Sequence, residues 1–124
     1  MMQVFAIAIG GAAGAVVRYG MSNGVHSLLG RGFPYGTLSV NVLGSLLMGL
    51  LYVLFLDRIT VSAEWRAISQ IGFLGAFTTF STFSIETLLL IENGEAMKAG
   101  LNVFLSVGVC LFATWMGMLI GRQL

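Results

Sequence analysis

Charged side chains are scarce in this sequence, and proline, cysteine and histidine each occur only once. Charged residues make up 9% of the 124 residues and hydrophobic residues 57%, whereas about a quarter of a soluble domain is usually charged. The chain is therefore predicted to be an integral membrane protein. A spanning helix needs about 20 residues, so this length leaves room for four or five spans, short loops and no soluble domain.

These shortages exclude several classes of function. His26 and Cys110 are the only residues of their kinds, and no nucleophile motif or metal-ligand cluster can be assembled, so we expect no enzyme. We interpret His26 as an interfacial residue, with a metal ligand as the alternative, and Cys110 as a small core residue. A net charge of +1 offers no basic surface for nucleic acid. No basic region precedes the first apolar run, so we expect that helix to be retained rather than cleaved.

Four apolar stretches predict an all-α membrane protein with four transmembrane helices in a single domain, 1–124. The spans are expected at roughly 4–28, 37–56, 67–91 and 99–120. The first helix could instead end near Arg18. We prefer the longer helix because residues 4–17 would cover only about 21 Å, short of the ~30 Å hydrocarbon core.

Small and polar residues recur at helical spacing inside these spans. Two glycine pairs predict close helix packing: Gly10 with Gly14, and Gly117 with Gly121. Asn41, Ser45 and Gly49 share one face of the second span, which either packs against a helix or lines a polar cavity. Packing is enough to explain Ser45 and Gly49, but the amide of Asn41 needs hydrogen-bond partners in hydrocarbon. Asn102 and Ser106 share a face of the fourth span in the same way.

Basic residues divide evenly between the two predicted sides of the membrane. Arg58, Arg66 and Arg122 fall on one side, and Arg18, Arg31 and Lys98 fall on the other. This balance gives the positive-inside rule no preference. We therefore expect insertion in both orientations and an antiparallel, dual-topology homodimer, although a buried Arg18 would change the count.

The third span contains an unusual stretch, GFLGAFTTFSTFSIE, from Gly72 to Glu86. Gly75, Thr78 and Thr79 weaken a helix, so one interpretation is a break near the middle of this span. Freed backbone carbonyls at a break are suitable ligands for a hard cation. The alternative is a continuous helix whose threonine hydroxyls bond back to carbonyls one turn earlier, and the pattern favours neither.

The second half of the same stretch combines phenylalanines with hydroxyl side chains. Phe80 and Phe83 lie at i, i+3, beside Ser81, Thr82 and Ser84. Such a phenylalanine pair usually faces lipid or core, but hydroxyls on both sides of each ring do not suit a lipid-facing stripe. Ring edges carry positive charge, and together with hydroxyl donors they would bind a small anion weakly enough to release it, as conduction requires. Glu86 is either a vestibule carboxylate or, more simply, an interfacial residue.

Three segments resemble the signature segments of the Fluc, or CrcB, family of small fluoride channels. They are GGAAGAVVRYG in the first span, NVLGSLLMG in the second and GFLGAFTTFSTFS in the third. The third is the most specific, and the resemblance extends over the whole four-helix chain. One departure is Ala76, where the family often has a second glycine.

The resemblance implies a dual-topology antiparallel homodimer with two fluoride pathways and a central structural sodium ion at the third-helix break. Phe80 and Phe83 would face fluoride, and Asn41 would be a donor toward the pathway. The remaining implied roles are hydroxyls along the route for Ser81 and Thr82, a pore entrance for Arg18, and sodium-binding carbonyls from both subunits for Gly75 and Thr78.

The leading hypothesis is passive, selective fluoride export across a bacterial cytoplasmic (inner) membrane, which would give fluoride resistance. One alternative is a small dual-topology multidrug/proton antiporter. That mechanism needs a titratable carboxylate at mid-membrane, and the first span contains none. Another alternative is a non-transporting membrane assembly subunit, against which the polar strip of the third span argues.

Overall fold

The computed structural model describes all 124 residues and contains only helices and short connections. Four helical segments are long and apolar enough to cross a membrane: Met2–Leu29, Tyr35–Arg58, Ala63–Glu92 and Ala96–Gln123. The prediction of an all-helical membrane protein with four long apolar helices is confirmed.

The first two segments and the last are each close to a single helix. Helix α1 (Met2–Leu29) continues without interruption through Arg18, so the longer alternative for the first helix is correct. Helix α2 (Tyr35–Val53) ends in a π-helical turn, Leu54–Arg58. The last helix, α6, covers Ala96–Gln123.

The third segment is built from several pieces. It begins with α3 (Ala63–Arg66), continues as the π-helical stretch Ala67–Leu74 and then as α4 (Gly75–Phe77). Two residues with extended backbone follow, Thr78 and Thr79, and we call them the Thr78–Thr79 segment. Helix α5 (Phe80–Glu92) completes the segment.

The connections are short. The expected spans leave residues 57–66 between them, but the loop covers only 59–62. The π-helical turn continues to Arg58, and the side chain of Ser62 caps α3 by accepting a hydrogen bond from the Trp65 N–H at 3.3 Å. The other two loops cover 30–34 and 93–95. Each contains a glycine in the left-handed region, Gly30 with φ 85° and Gly94 with φ 80°, a conformation that other residues rarely adopt.

Glycines allow the helices to approach each other closely. A Cβ on Gly10 or Gly14 would overlap backbone atoms of Ile68 or Phe73, so α1 lies directly against the Ala67–Leu74 stretch. In the same way, a Cβ on Gly117 would overlap the Leu46 carbonyl of α2. The expectation that both glycine pairs mediate close packing agrees with these contacts, since a Cβ on Gly121 would also be tight against α2.

Large apolar side chains cover much of the outer surface. Only 24 of the 124 residues are buried, and Phe5, Val16 and Phe104 are each more than half exposed. Monomeric soluble proteins rarely expose such extensive apolar surface. The exposed surface therefore suits contact with lipid or with another apolar protein surface.

Candidate functional site

The site is centred on the Thr78–Thr79 segment, where helical hydrogen bonding stops. Thr78 has φ −89° and ψ 157°, and Thr79 has φ −150° and ψ 121°, so both residues are extended. The hydroxyl of Thr78 donates back to the Leu74 carbonyl at 3.0 Å, and the hydroxyl of Thr79 accepts from the Thr82 N–H and caps α5. The hydroxyl of Thr78 therefore bonds to the carbonyl one turn earlier, as the continuous-helix alternative predicted, although the backbone of Thr78 is not helical.

Asn41 replaces the helical partners of Thr79. Its Oδ1 accepts the Thr79 N–H at 2.7 Å, and its Nδ2 donates to the Thr79 carbonyl at 3.0 Å. Gly44, one turn later on α2, leaves room for this approach, because a Cβ there would overlap the methyl group of Thr78. The sequence-based expectation that the amide of Asn41 needs buried partners agrees with these two bonds.

Arg18 also reaches the end of α4. Its Nε donates to the Ala76 carbonyl at 2.9 Å, and the side chain is partly buried. In a continuous helix this carbonyl would accept the Phe80 N–H. Arg18 therefore helps to satisfy the backbone beside the Thr78–Thr79 segment, a role that the pore-entrance prediction did not include.

Backbone carbonyls next to the segment have the chemistry of a cation site. The Thr78 carbonyl has no hydrogen-bond partner within the chain. The Gly75 carbonyl loses its usual helical donor because the Thr79 N–H is directed to Asn41. Carbonyl oxygens suit hard cations, so the residues present fit the cation-binding role predicted for Gly75 and Thr78.

A cavity of about 430 Å³ opens beside these groups, within the size range of ligand sites. Asn41, Thr78, Phe80 and Phe83 all contribute to its wall. The centroids of the two rings are 5.3 Å apart and their planes are tilted by 48°. Phe83 is 8% exposed and Phe80 is 75% exposed, so one ring is fixed in the interior while the other lies at the outer surface.

The structure places two of the predicted hydroxyls elsewhere. Ser81 and Thr82 do not line this cavity. Their hydroxyls lie next to Thr79 Oγ1, which donates to Thr82 Oγ1 at 3.1 Å and lies 3.4 Å from Ser81 Oγ. Ser81 and Thr82 therefore bond within the first turn of α5, and in the single chain they are not part of the cavity wall.

Several cavity residues did not appear among the predicted site residues. They come from α6 and from the middle of α2: Ser45, Met48, Ser106, Val107, Cys110, Leu111 and Thr114. The i, i+4 spacing of Asn102 and Ser106 was the available signal for α6.

Cys110 is partly exposed and lines the cavity, so the expectation of a core residue was wrong. The two smaller residues on the Asn41 face of α2 have different surroundings. Ser45 lines the cavity, whereas Gly49 packs against the Thr114 carbonyl.

A second, smaller cavity of about 210 Å³ lies between the end of α1 and α5. His26 is buried there and accepts the Gly36 N–H on its Nε2 at 3.1 Å, so it satisfies a free donor in the first turn of α2. Glu86 also lines this cavity, and its Oε1 is buried without a hydrogen-bond partner. His26 therefore joins two helices, and Glu86 lies at a cavity rather than at an open surface.

Comparison with known proteins gives a consistent result. Residues 5–118 match the family described as CrcB-like protein, Camphor Resistance (CrcB). A protein of Methylococcus capsulatus named "Fluoride-specific ion channel FluC" is 56% identical over 123 residues, which is 99% of this chain and 54% of that protein. This chain therefore spans about half the length of that relative.

Two relatives with the same name match along their whole length. One from Coxiella burnetii is 53% identical over 124 residues, covering 99% of this chain and 100% of the relative. One from Magnetococcus marinus is 52% identical over 121 residues, covering 98% of each. All three names are those of ion channels, which agrees with the prediction that the chain is not an enzyme.

The paired bonds of Asn41 predict a large effect of its removal on stability. Asn41→Leu leaves the N–H and the carbonyl of Thr79 without partners, at a cost of about 1–3 kcal/mol for each group. We expect the midpoint of thermal unfolding in detergent to fall clearly. Asn23→Leu is the matched control, because the side chain of Asn23, on α1, makes no hydrogen bond. This variant should unfold at the same midpoint as the unchanged protein. Equal midpoints for both variants would contradict the role of Asn41.

Proposed function

Because this chain belongs to the CrcB family, we propose that it is a passive, fluoride-selective channel that exports fluoride across the bacterial inner membrane. The observation that carries the proposal is the similarity along the whole chain to relatives named fluoride-specific ion channels. The cavity beside the Thr78–Thr79 segment supports it, because its wall contains neutral donors and aromatic rings and no charged side chain.

Asn41 has a donor left over for the anion. A side-chain amide carries two N–H groups, and only one hydrogen bond is donated by Nδ2, to the Thr79 carbonyl. Since Asn41 lines the cavity, its second N–H is available to replace part of the hydration of a fluoride ion. The bonds to Thr79 hold the amide in place, so this donor needs little reorganisation when the ion arrives.

Phe80 and Phe83 supply weak attraction at the same cavity. The edge of an aromatic ring carries partial positive charge, and the tilt between the two rings directs their edges differently. Neutral groups bind a small anion less tightly than lysine or arginine would, and rapid conduction requires release as well as binding. In this proposal, Ser81 and Thr82 extend the donors along the first turn of α5, and Arg18 lies near the pathway.

The channel in this proposal is an antiparallel, dual-topology homodimer with two pathways. With Arg18 partly buried beside the break, the remaining basic residues divide three against two. This small difference still supports dual topology, and the exposure of Phe80 supports a partner surface beside the cavity. The segments α3 to α5 form one span whose helix is broken at the Thr78–Thr79 segment. A structural sodium ion would be held there by the carbonyls of Gly75 and Thr78 from both subunits. Its positive charge would offset the partial negative charge of carbonyl oxygens that lack hydrogen-bond donors in the membrane interior.

No comparable observation supports the two alternative functions, a multidrug antiporter and a non-transporting subunit. A proton-coupled multidrug antiporter needs a carboxylate at mid-membrane, and α1 and α2 contain none. Glu86 is the one carboxylate in the interior of α5, beside the smaller cavity rather than the larger one. A non-transporting subunit would have no need for a cavity that combines an anchored amide with two aromatic rings.

Ion flux from liposomes tests this function directly. The purified protein is reconstituted in liposomes loaded with fluoride or chloride, and efflux is recorded with ion-selective electrodes, with protein-free liposomes as the control. We expect fluoride efflux without a proton gradient and little chloride efflux. Equal efflux of both anions, or no fluoride efflux, would refute the proposal. Efflux that requires a proton gradient would favour the antiporter.

The two aromatic rings are tested by replacing each with an aliphatic side chain. Phe80→Ile and Phe83→Ile keep apolar volume but remove the partially positive ring edge, so we expect each substitution to abolish most of the fluoride efflux. Phe5→Ile changes an exposed ring near the start of α1 and should leave efflux unchanged. Gel filtration checks that all three variants stay folded. Wild-type efflux from both pathway variants would remove the rings from the pathway.

A further inference from the structure

A chain of buried hydrogen bonds leads from α6 to the backbone of Phe83. Ser106 Oγ donates to Asn102 Oδ1 at 3.4 Å, Asn102 Nδ2 donates to Thr87 Oγ1 at 2.8 Å, and Thr87 Oγ1 donates to the Phe83 carbonyl at 2.7 Å. Asn102 is 2% exposed, and Thr87 and Ser106 are also buried. All three bonds run in the same direction: Asn102 and Thr87 each accept one bond and donate the next, and the Phe83 carbonyl is the final acceptor.

The middle link is the single side-chain hydrogen bond that joins α5 to another helix. The N-terminal end of α5 is held separately, because Asn41 binds the backbone of Thr79 just ahead of the first turn. The two attachments are eight residues apart, about 12 Å along a helix. Fixing a helix at two such points on different neighbours determines its rotation about its own axis as well as its position.

The rotation of α5 determines where Phe83 points. Thr87 lies one turn after Phe83 on the same face of the helix and bonds its carbonyl. The Phe83 ring is buried in the wall of the larger cavity, so a small rotation of α5 would move the ring edge away from it. Asn102 and Thr87 are buried and do not line the cavity, so no water is available there to replace their hydrogen-bond partners.

We propose that Asn102 is a positioning residue that, through Thr87, holds α5 in the rotation that presents the Phe83 ring to fluoride. The expected effects on transport rest on the proposed function. The expected effect on the orientation of the Phe83 ring does not, because it can be measured without transport. Asn102 does not itself touch the ion in this account. It acts only through the hydrogen bond to Thr87.

The test compares two substitutions of Thr87 that differ in one group. Thr87→Val keeps the shape and removes the hydroxyl, whereas Thr87→Ser keeps the hydroxyl and removes a methyl group. Asn102→Leu removes the partner on α6, and Thr87→Val with Asn102→Leu forms the double variant. Ser69→Ala is the matched control, because Ser69 also bonds to the carbonyl one turn earlier but has no partner on another helix.

Three measurements are made on each variant in the full-length protein. Gel filtration reports folding, liposome efflux reports fluoride and chloride transport, and ¹⁹F NMR of 4-fluorophenylalanine at position 83 reports the ring environment without depending on transport. We expect Thr87→Val and Asn102→Leu to lower fluoride efflux about tenfold, the effect of one lost buried hydrogen bond, and to lower the ratio of fluoride to chloride efflux. Both should shift or split the ¹⁹F resonance.

The other variants give the decisive comparison. Thr87→Ser and Ser69→Ala should keep the wild-type efflux ratio and a single unshifted resonance. The double variant should lose less than the sum of the two single effects, because the bond between Thr87 and Asn102 is removed in both. An unshifted resonance in Thr87→Val would overturn the inference, and so would equal damage by Thr87→Ser. If the unchanged protein fails to transport fluoride, the proposed function fails, whereas the ¹⁹F comparison still decides whether Asn102 orients the ring.

Discussion

The paired hydrogen bonds between the side chain of Asn41 and the backbone of Thr79 are the interaction on which the rest of the site depends. A membrane interior provides no water for unpaired backbone groups, so two extended residues between helices need partners supplied by the protein. Asn41 supplies both a donor and an acceptor, and Arg18 bonds the neighbouring Ala76 carbonyl. With these bonds in place, the Thr78 carbonyl is left free, and α5 starts in a direction that brings both phenylalanine rings to the cavity.

Close packing of the surrounding helices makes this arrangement possible. Gly10 and Gly14 bring α1 against the third segment, which places Arg18, one turn beyond Gly14, beside the end of α4. Gly44 gives Thr78 room against α2. In hydrocarbon, helices gain little from burying apolar surface and associate through such close contacts and through hydrogen bonds. Polar side chains therefore collect at the helix contacts, while large apolar side chains remain outside.

Much of this organisation can be predicted from the sequence, because hydropathy and small-residue spacing are local signals. The four helices, the glycine contacts and the need of Asn41 for partners follow from them. The interaction of Arg18 with Ala76 does not, since it joins residues 58 positions apart through the crossing of two helices. Cys110 looked like a core residue because an apolar helix gives no sign of which face borders a cavity. The link between Thr87 and Asn102 likewise depends on how α5 and α6 are rotated against each other, which the spacing of residues within each helix does not determine.

A cryo-electron microscopy map of the purified protein in lipid nanodiscs, prepared in sodium and with thallium in its place, tests the central claim most directly. The account predicts that α4 ends at Phe77, that the Thr79 N–H faces Asn41, and that two oppositely oriented copies bring their Thr78 carbonyls to one cation, with stronger density in thallium. A continuous helix through Thr78 and Thr79, with the Thr79 N–H bonded to the Gly75 carbonyl and no cation beside it, would contradict the account.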